Sequence, residues 1–168
     1  ASRNFPIQYW DWGSQDLQMQ NPFWTINRNM FNNIKNRYLL GGSLKYDITD
    51  WMDISARVRM DYNNTLAEQK NYASTSGLFA GSKGRYFHNQ ATTLQTYADV
   101  LLNIHKTFGE NLIQLNATAG ASVEDYNYRQ TYSAGDLLGV PNLFPFNNMN
   151  TSKGFYKNTY RDQVQSVF

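Results

Sequence analysis

The chain has 168 residues, 41% of them hydrophobic, which is enough to build the core of one ordinary domain. Its formal net charge is +2, with 17% charged residues and no basic run, and this excludes an electrostatic nucleic-acid binder, which needs clustered Lys and Arg to displace counterions. There is no cysteine, so disulfide frameworks, thiolate metal sites and thiol nucleophiles are excluded; no apolar run approaches the roughly 18 residues of a membrane-spanning helix, and the mean hydropathy is -0.62.

A membrane barrel passes the same tests, because its strands show only every second side chain to lipid and their hydropathy averages out. The 12 Tyr, 10 Phe and 4 Trp, together with abundant Asn, suit strands joined by aromatic-rich wet loops better than a helical core. The opening residues ASRNFPIQYW have neither a basic nor an apolar leader region, so a mature or internal segment of a chain is expected.

Residues 1–37 hold no sustained period and read as a long irregular segment. From Tyr38 the period is two: Tyr38, Leu40, Gly42, Leu44, Tyr46 and Ile48 share one face, Gly41, Ser43, Lys45, Asp47 and Thr49 the other. Thr49-Asp50-Trp51 reads as a tight hairpin turn. The next run places Met52, Ile54, Ala56, Val58, Met60 and Tyr62 opposite Asp53, Ser55, Arg57, Arg59 and Asp61. Residues 63–93 lose the alternation and are expected to form a long loop, well above the usual median of about 4–6 residues.

A third run sets Leu94, Thr96, Ala98, Val100, Leu102 and Ile104 against Gln95, Tyr97, Asp99, Asn103 and His105, with Leu101 out of pattern; Lys106-Thr-Phe-Gly-Glu-Asn111 closes it. A fourth has Ile113, Leu115, Ala117, Ala119, Ala121 and Val123 opposite Gln114, Asn116, Thr118, Gly120, Ser122 and Glu124. Residues 126–159 are expected to be another long loop, and Tyr160–Phe168 a fifth alternating run that looks truncated.

The fold predicted is all-β, an antiparallel up-and-down meander with short turns alternating with long loops, as in outer-membrane barrels. A run of about 11 residues tilted near 45° spans roughly 25 Å, the height of their apolar band. Small residues on the apolar face, such as Gly42, Ala98 and Ala119, would leave voids in a sandwich core but cost little against acyl chains. Trp51 and Phe108 fall at the short turns, where an aromatic girdle would lie.

Catalysis finds little support. His88, in an expected loop, and His105, near a short turn, are placed too far apart to share a metal. Ala80-Gly-Ser-Lys-Gly84 lacks phosphate-loop spacing, and Asp61-Tyr-Asn-Asn-Thr65 starts like a calcium loop without its Gly or Glu, leaving at most adventitious calcium and no expected cofactor. The binding candidates are aromatics of the expected loops: Tyr9, Trp10, Trp12, Phe23 and Trp24 in the first, Tyr86 and Phe87 in the second, Phe144 and Phe146 in the third. These could stack on sugar rings or peptide side chains, pack the loops together, or dock a partner.

The stretch NPFWTINRNMFNNIKNRYLLGGSLKYDITDWMDISARVRMDY, Asn21 to Tyr62, resembles the SusC/RagA-type TonB-dependent transporters of the outer membrane, which commonly carry an NP-aromatic-W stretch with N-R-N, a strand ending in K-Y, and a T-D-W turn before an S-x-R strand. YRDQVQSVF, Tyr160 to Phe168, is similar to one of the family's strand starts; residues 77–90 and 132–152 are least covered.

The resemblance implies a non-enzymatic importer in the outer membrane of a Gram-negative bacterium, moving an oligosaccharide or peptide. Its 22-stranded barrel would be filled by a plug, energised by TonB and paired with a SusD-like surface lipoprotein. Nothing in the chain looks like the plug, so an internal fragment of the barrel is expected. On that reading Lys45, Asp47, Asp53, Arg57, Arg59, Asp61, Asp99 and Glu124 face the lumen and pair across strands or touch the plug. The rival readings are a passive porin-like barrel and a secreted all-β carbohydrate-binding module.

Overall fold

A computed structural model describes residues 20–73, 75, 77, 79–109, 113–152 and 154–168, and the backbone alone of 9–10 and 19. It is all-β, with one antiparallel five-stranded meander: Asn29–Thr49 (β3), Met52–Tyr72 (β4), Gly84–Phe108 (β5), Ile113–Asp136 (β6) and Phe155–Val167 (β7) follow one another in the sheet in chain order. Tyr9–Trp10 (β1) and Met19–Gln20 (β2) form a separate two-stranded antiparallel pair, and Pro22–Arg28 (α1) is a helix.

Three expectations need correction. The irregular segment 1–37 contains α1 and the first part of β3, and the loops expected over 63–93 and 126–159 shrink to 73–83 and 137–154 because β4, β5 and β6 run on and β7 begins early. The apolar alternation ends near Tyr62 and resumes near Leu94, yet the ladder continues, because polar and aromatic side chains pair across it. Gln130 Nε2 donates to Asn89 Oδ1 at 2.9 Å, and the Phe87 and Tyr132 rings meet edge-on at 5.0 Å. The short helix escapes a periodicity test, though Asn21 caps it by accepting from the Phe23 amide at 3.1 Å and Pro22 opens it.

The chain divides into two compact units. The first comprises Ala1–Lys35, Thr65–Ala91 and Gln130–Asn158. Its core is Tyr86, Leu137 and Met149, with Phe144 against them. Asn148 organises the segment beyond β6: its Oδ1 accepts from the amides of Gly139 at 2.8 Å and Val140 at 3.1 Å, and its Nδ2 donates to the carbonyls of Val140 and Leu143, each at 2.7 Å. That satisfies a buried amide from both ends and leaves the segment little freedom. Asp136 Oδ1 accepts from the Gly81 amide at 3.0 Å, and Lys83 donates to the Leu138 carbonyl at 2.5 Å, fastening 73–83 to it. Gly84 has φ +105°, and a Cβ there would stand 2.6 Å from the Asn71 carbonyl oxygen, so only glycine opens β5 in this way.

The second unit comprises Asn36–Asn64, Thr92–Arg129 and Thr159–Phe168. Its hairpin turn is Asp50-Trp51, as the sequence predicts, and Gly109, at φ 61°, begins the other turn. Gly120 and Phe168 exchange both backbone hydrogen bonds, at 2.7 and 3.0 Å, and so stand opposite each other on one face. Val164 and Phe168 therefore share the polar face of β6, while Gln163 and Gln165 take the other.

Candidate functional site: a polar network and an aromatic cluster

In the second unit the polar face carries a network made of several groups of paired side chains. Asp53 lies 3.6 Å from Lys45 Nζ and 3.8 Å from His105 Nδ1, and accepts from Asn103 Nδ2 at 2.9 Å. Arg57 grips Asp99 with Nε at 3.0 and 3.1 Å and its terminal nitrogen at 3.0 Å, a geometry that lysine could not reproduce. Arg37 binds Asp61 through two nitrogens at 2.9 and 2.5 Å, Gln95 donates to Glu124 at 2.5 Å, and Thr118 reaches Asn103 at 3.0 Å. Arg59 lies over the Tyr97 ring at 6.0 Å, and Lys45 reaches Asp47 at 3.3 Å. All eight polar residues expected to face a lumen thus have partners on one face. Arg37, Gln95, Tyr97 and Asn103 complete the network; the alternation puts Gln95, Tyr97 and Asn103 on this face without naming them as site residues, and Arg37 was assigned to an irregular segment.

The opposite face is mainly aliphatic and open, and toward β7 it also carries Gln163, Gln165 and the Arg161–Asp125 ion pair at 2.9 Å. Leu44 is 72% exposed, Val58 53% and Val100 46%, whereas the two buried residues among those described in this unit are both carboxylates, Asp99 at 3% and Asp53 at 5%. A water-soluble sheet buries its aliphatic face; here that face stays open, while Asp53 and Asp99 are buried beneath Lys45 and Arg57, whose own side chains are exposed.

In the first unit the expected loop aromatics separate into different roles. Trp24 and Tyr86 are buried, which fits the packing role among those open to them. The Tyr86 ring packs against Phe144 at 6.0 Å and Phe146 at 5.9 Å, and Phe146 meets His88 edge-on at 4.9 Å. The phenol of Tyr86 donates to Glu68, whose other neighbours are Lys70, Asn32 and His88. Hydrogen bonding from Tyr86 holds the Glu68 carboxyl below its usual range; burial first, then this carboxylate, pushes the Tyr86 phenol up. Phe87 belongs to another group with Tyr132, which stacks on Tyr156 at 4.6 Å. Phe23 and Phe146 remain exposed; Tyr9 and Trp10 lie on β1 and only their backbone is described, and Trp12 falls outside the described residues.

A cleft of about 370 Å³ beside this second aromatic group is lined by Arg85, Tyr132, Asp136, Asn150 and Ser152, among others. Residues 61–65, weighed as a calcium loop, are extended strand, with the Asp61 carboxylate held by Arg37. His88 lies on β5, and the Ala80–Gly84 stretch leads into it through a turn closed by the Gly84 amide donating to the Gly81 carbonyl at 2.9 Å. No family model matches the chain, and no curated protein matches it.

Proposed function

We propose that this chain forms part of the wall of an outer-membrane β-barrel of the SusC/RagA type, a transporter that imports an oligosaccharide or peptide with energy delivered by TonB. One observation carries the membrane part of the reading: the second unit exposes its aliphatic face and buries paired carboxylates. That arrangement costs free energy in water and none where acyl chains cover the aliphatic face. In this unit the segments of β3, β4, β5 and β6 each exceed the about 9–11 residues that a tilted crossing needs, and the segment of β7, from Thr159 to Val167, falls at its lower end. Short turns at 50–51 and 109–112 alternate with longer connections at 73–83 and 137–154, which supports the same reading.

Five strands leave two open edges, and a bilayer tolerates no unpaired backbone, so further strands must close the wall. Plug, TonB and a SusD-like lipoprotein enter through the resemblance of Asn21–Tyr62, and the polar network would face the plug and the solute. Among the described residues Phe23, Phe146, Tyr156 and the cleft at Arg85 are open to solute or lipoprotein.

Uptake of labelled oligosaccharides and peptides by cells carrying the full-length protein tests the assignment. Influx is expected to stop when the proton gradient is collapsed. Influx that persists would make the protein a passive porin, and recovery of the protein from the medium, free of membrane, would make it a secreted binding module.

A further inference from the structure

Lys106 is a cation of the second unit that lies outside the polar network and, unlike Arg161 with its partner Asp125, rests on aromatic rings. Lys106 lies on β5 two residues after Ile104, on the aliphatic face, and its ammonium stands 4.4 Å from the centroid of the Trp51 ring and 5.4 Å from that of Phe108. The Trp51 carbonyl accepts from the His105 amide at 2.8 Å, which pins the hairpin turn beside the lysine. Two aromatic faces orient an ammonium by its charge and leave its three N–H donors free. Among the described residues no carboxylate lies within 4 Å of it, in contrast to Lys45.

From this geometry we infer that Trp51, Lys106 and Phe108 form a binding site for the phosphodiester headgroup of a membrane phospholipid. Phe108 is 44% exposed and stands on the same side of β5 as Val100, so an acyl chain lying along Val100 and Leu102 would bring its headgroup to the level of the lysine. The two rings suit the boundary where hydrocarbon gives way to headgroups, and the cation is complementary to the phosphate there. The inference rests on the barrel reading and adds to it a ligand at a defined residue.

Native mass spectrometry of the full-length protein in detergent, titrated with short-chain phosphatidylglycerol, tests the site. Lys106→Gln is expected to weaken binding about fivefold, the effect of one lysine at a membrane surface, and Lys106→Arg to retain it. Inorganic phosphate is expected neither to bind nor to compete at the same concentrations. Equal affinity in Lys106→Gln and the unaltered protein overturns the site, as does binding of inorganic phosphate as tight as that of the lipid. A nitroxide placed at Val58 separates the two claims: lipid contact there with no effect of Lys106→Gln sinks the headgroup site alone, whereas an aqueous label sinks the barrel reading as well.

Discussion

Glu68 shows how one residue sets the order of a segment. Its carboxylate takes the Tyr86 phenol, and the Tyr86 ring is the support for Phe144 and Phe146, so charge and packing are coupled through one side chain. Tyr86→Phe keeps the ring and removes a hydrogen bond to a charged acceptor, and is expected to destabilise the first unit by about 1.5–3 kcal/mol. Amide exchange across 137–149, corrected for its intrinsic pH dependence, reads the loss. The pH dependence follows from the direction of each shift. The carboxyl of Glu68 is held low in the folded state, so its contribution is complete above the unfolded value of about 4.3 and is lost as pH falls through the lower folded value. Tyr86 is shifted up, so its contribution is complete below about pH 10 and is lost as the phenol ionises. Protection is expected to be flat between, and Glu68→Gln to abolish the acid-side loss. His88→Gln belongs in the same series, because the His88 ring lies 3.9 Å from that carboxylate.

At the scale of the strand, β4 carries the central contrast: Asp53 and Arg57 sit in the network while Ile54 and Val58 lie on the bare face. Val58→Arg is expected to destabilise the protein in a bilayer by about 2–4 kcal/mol, the effect of a cation near the midplane of a barrel wall, whereas Ser55→Arg on the polar face is not. Unfolding by urea from lipid vesicles measures both. An exposed valine of a water-soluble sheet would tolerate the same change within about 0.5 kcal/mol.

These strands also mark what could be read from residues. The middle of each strand and the Asp50-Trp51 turn were legible because one face is aliphatic and the other polar. The extensions of β4 and β5 were not, since stretches such as Glu68-Gln69-Lys70-Asn71 are polar on both faces and give no period, although their cross-strand partners hold them extended. In β7 the alternation is visible but its register is not; the backbone pair of Gly120 and Phe168 turns Val164 toward the polar face. The polar network was partly legible as a row of charges. Which pairs form depends on strand register, which is why the pairing of Asn103 with Asp53 was not foreseen and Arg37 was left in an irregular segment. Among the aromatics, sequence supplied the residues but not their burial: Tyr86 and Trp24 serve as core while Phe23 and Phe146 stay open.

For the molecule as a whole, the open aliphatic face is what the proposed lipid setting would cover, and on that proposal the edges of β3 and β7 would pair with further strands. The alternation in these five strands sets neither the number of strands such a wall would have nor the solute it would pass. The lipid-facing side is the claim from which the rest follows. It is tested most directly by nitroxides placed one at a time along Met52–Tyr62 in the full-length protein in vesicles, with collision rates measured against oxygen, which concentrates in the bilayer, and against a water-soluble nickel chelate. The account predicts an alternation of period two, with oxygen favoured at Ile54, Ala56 and Val58 and shielding from oxygen at Ser55, Arg57 and Arg59. High nickel access at Ile54 and Val58, or protection of both from either reagent by a second protein layer, would contradict it.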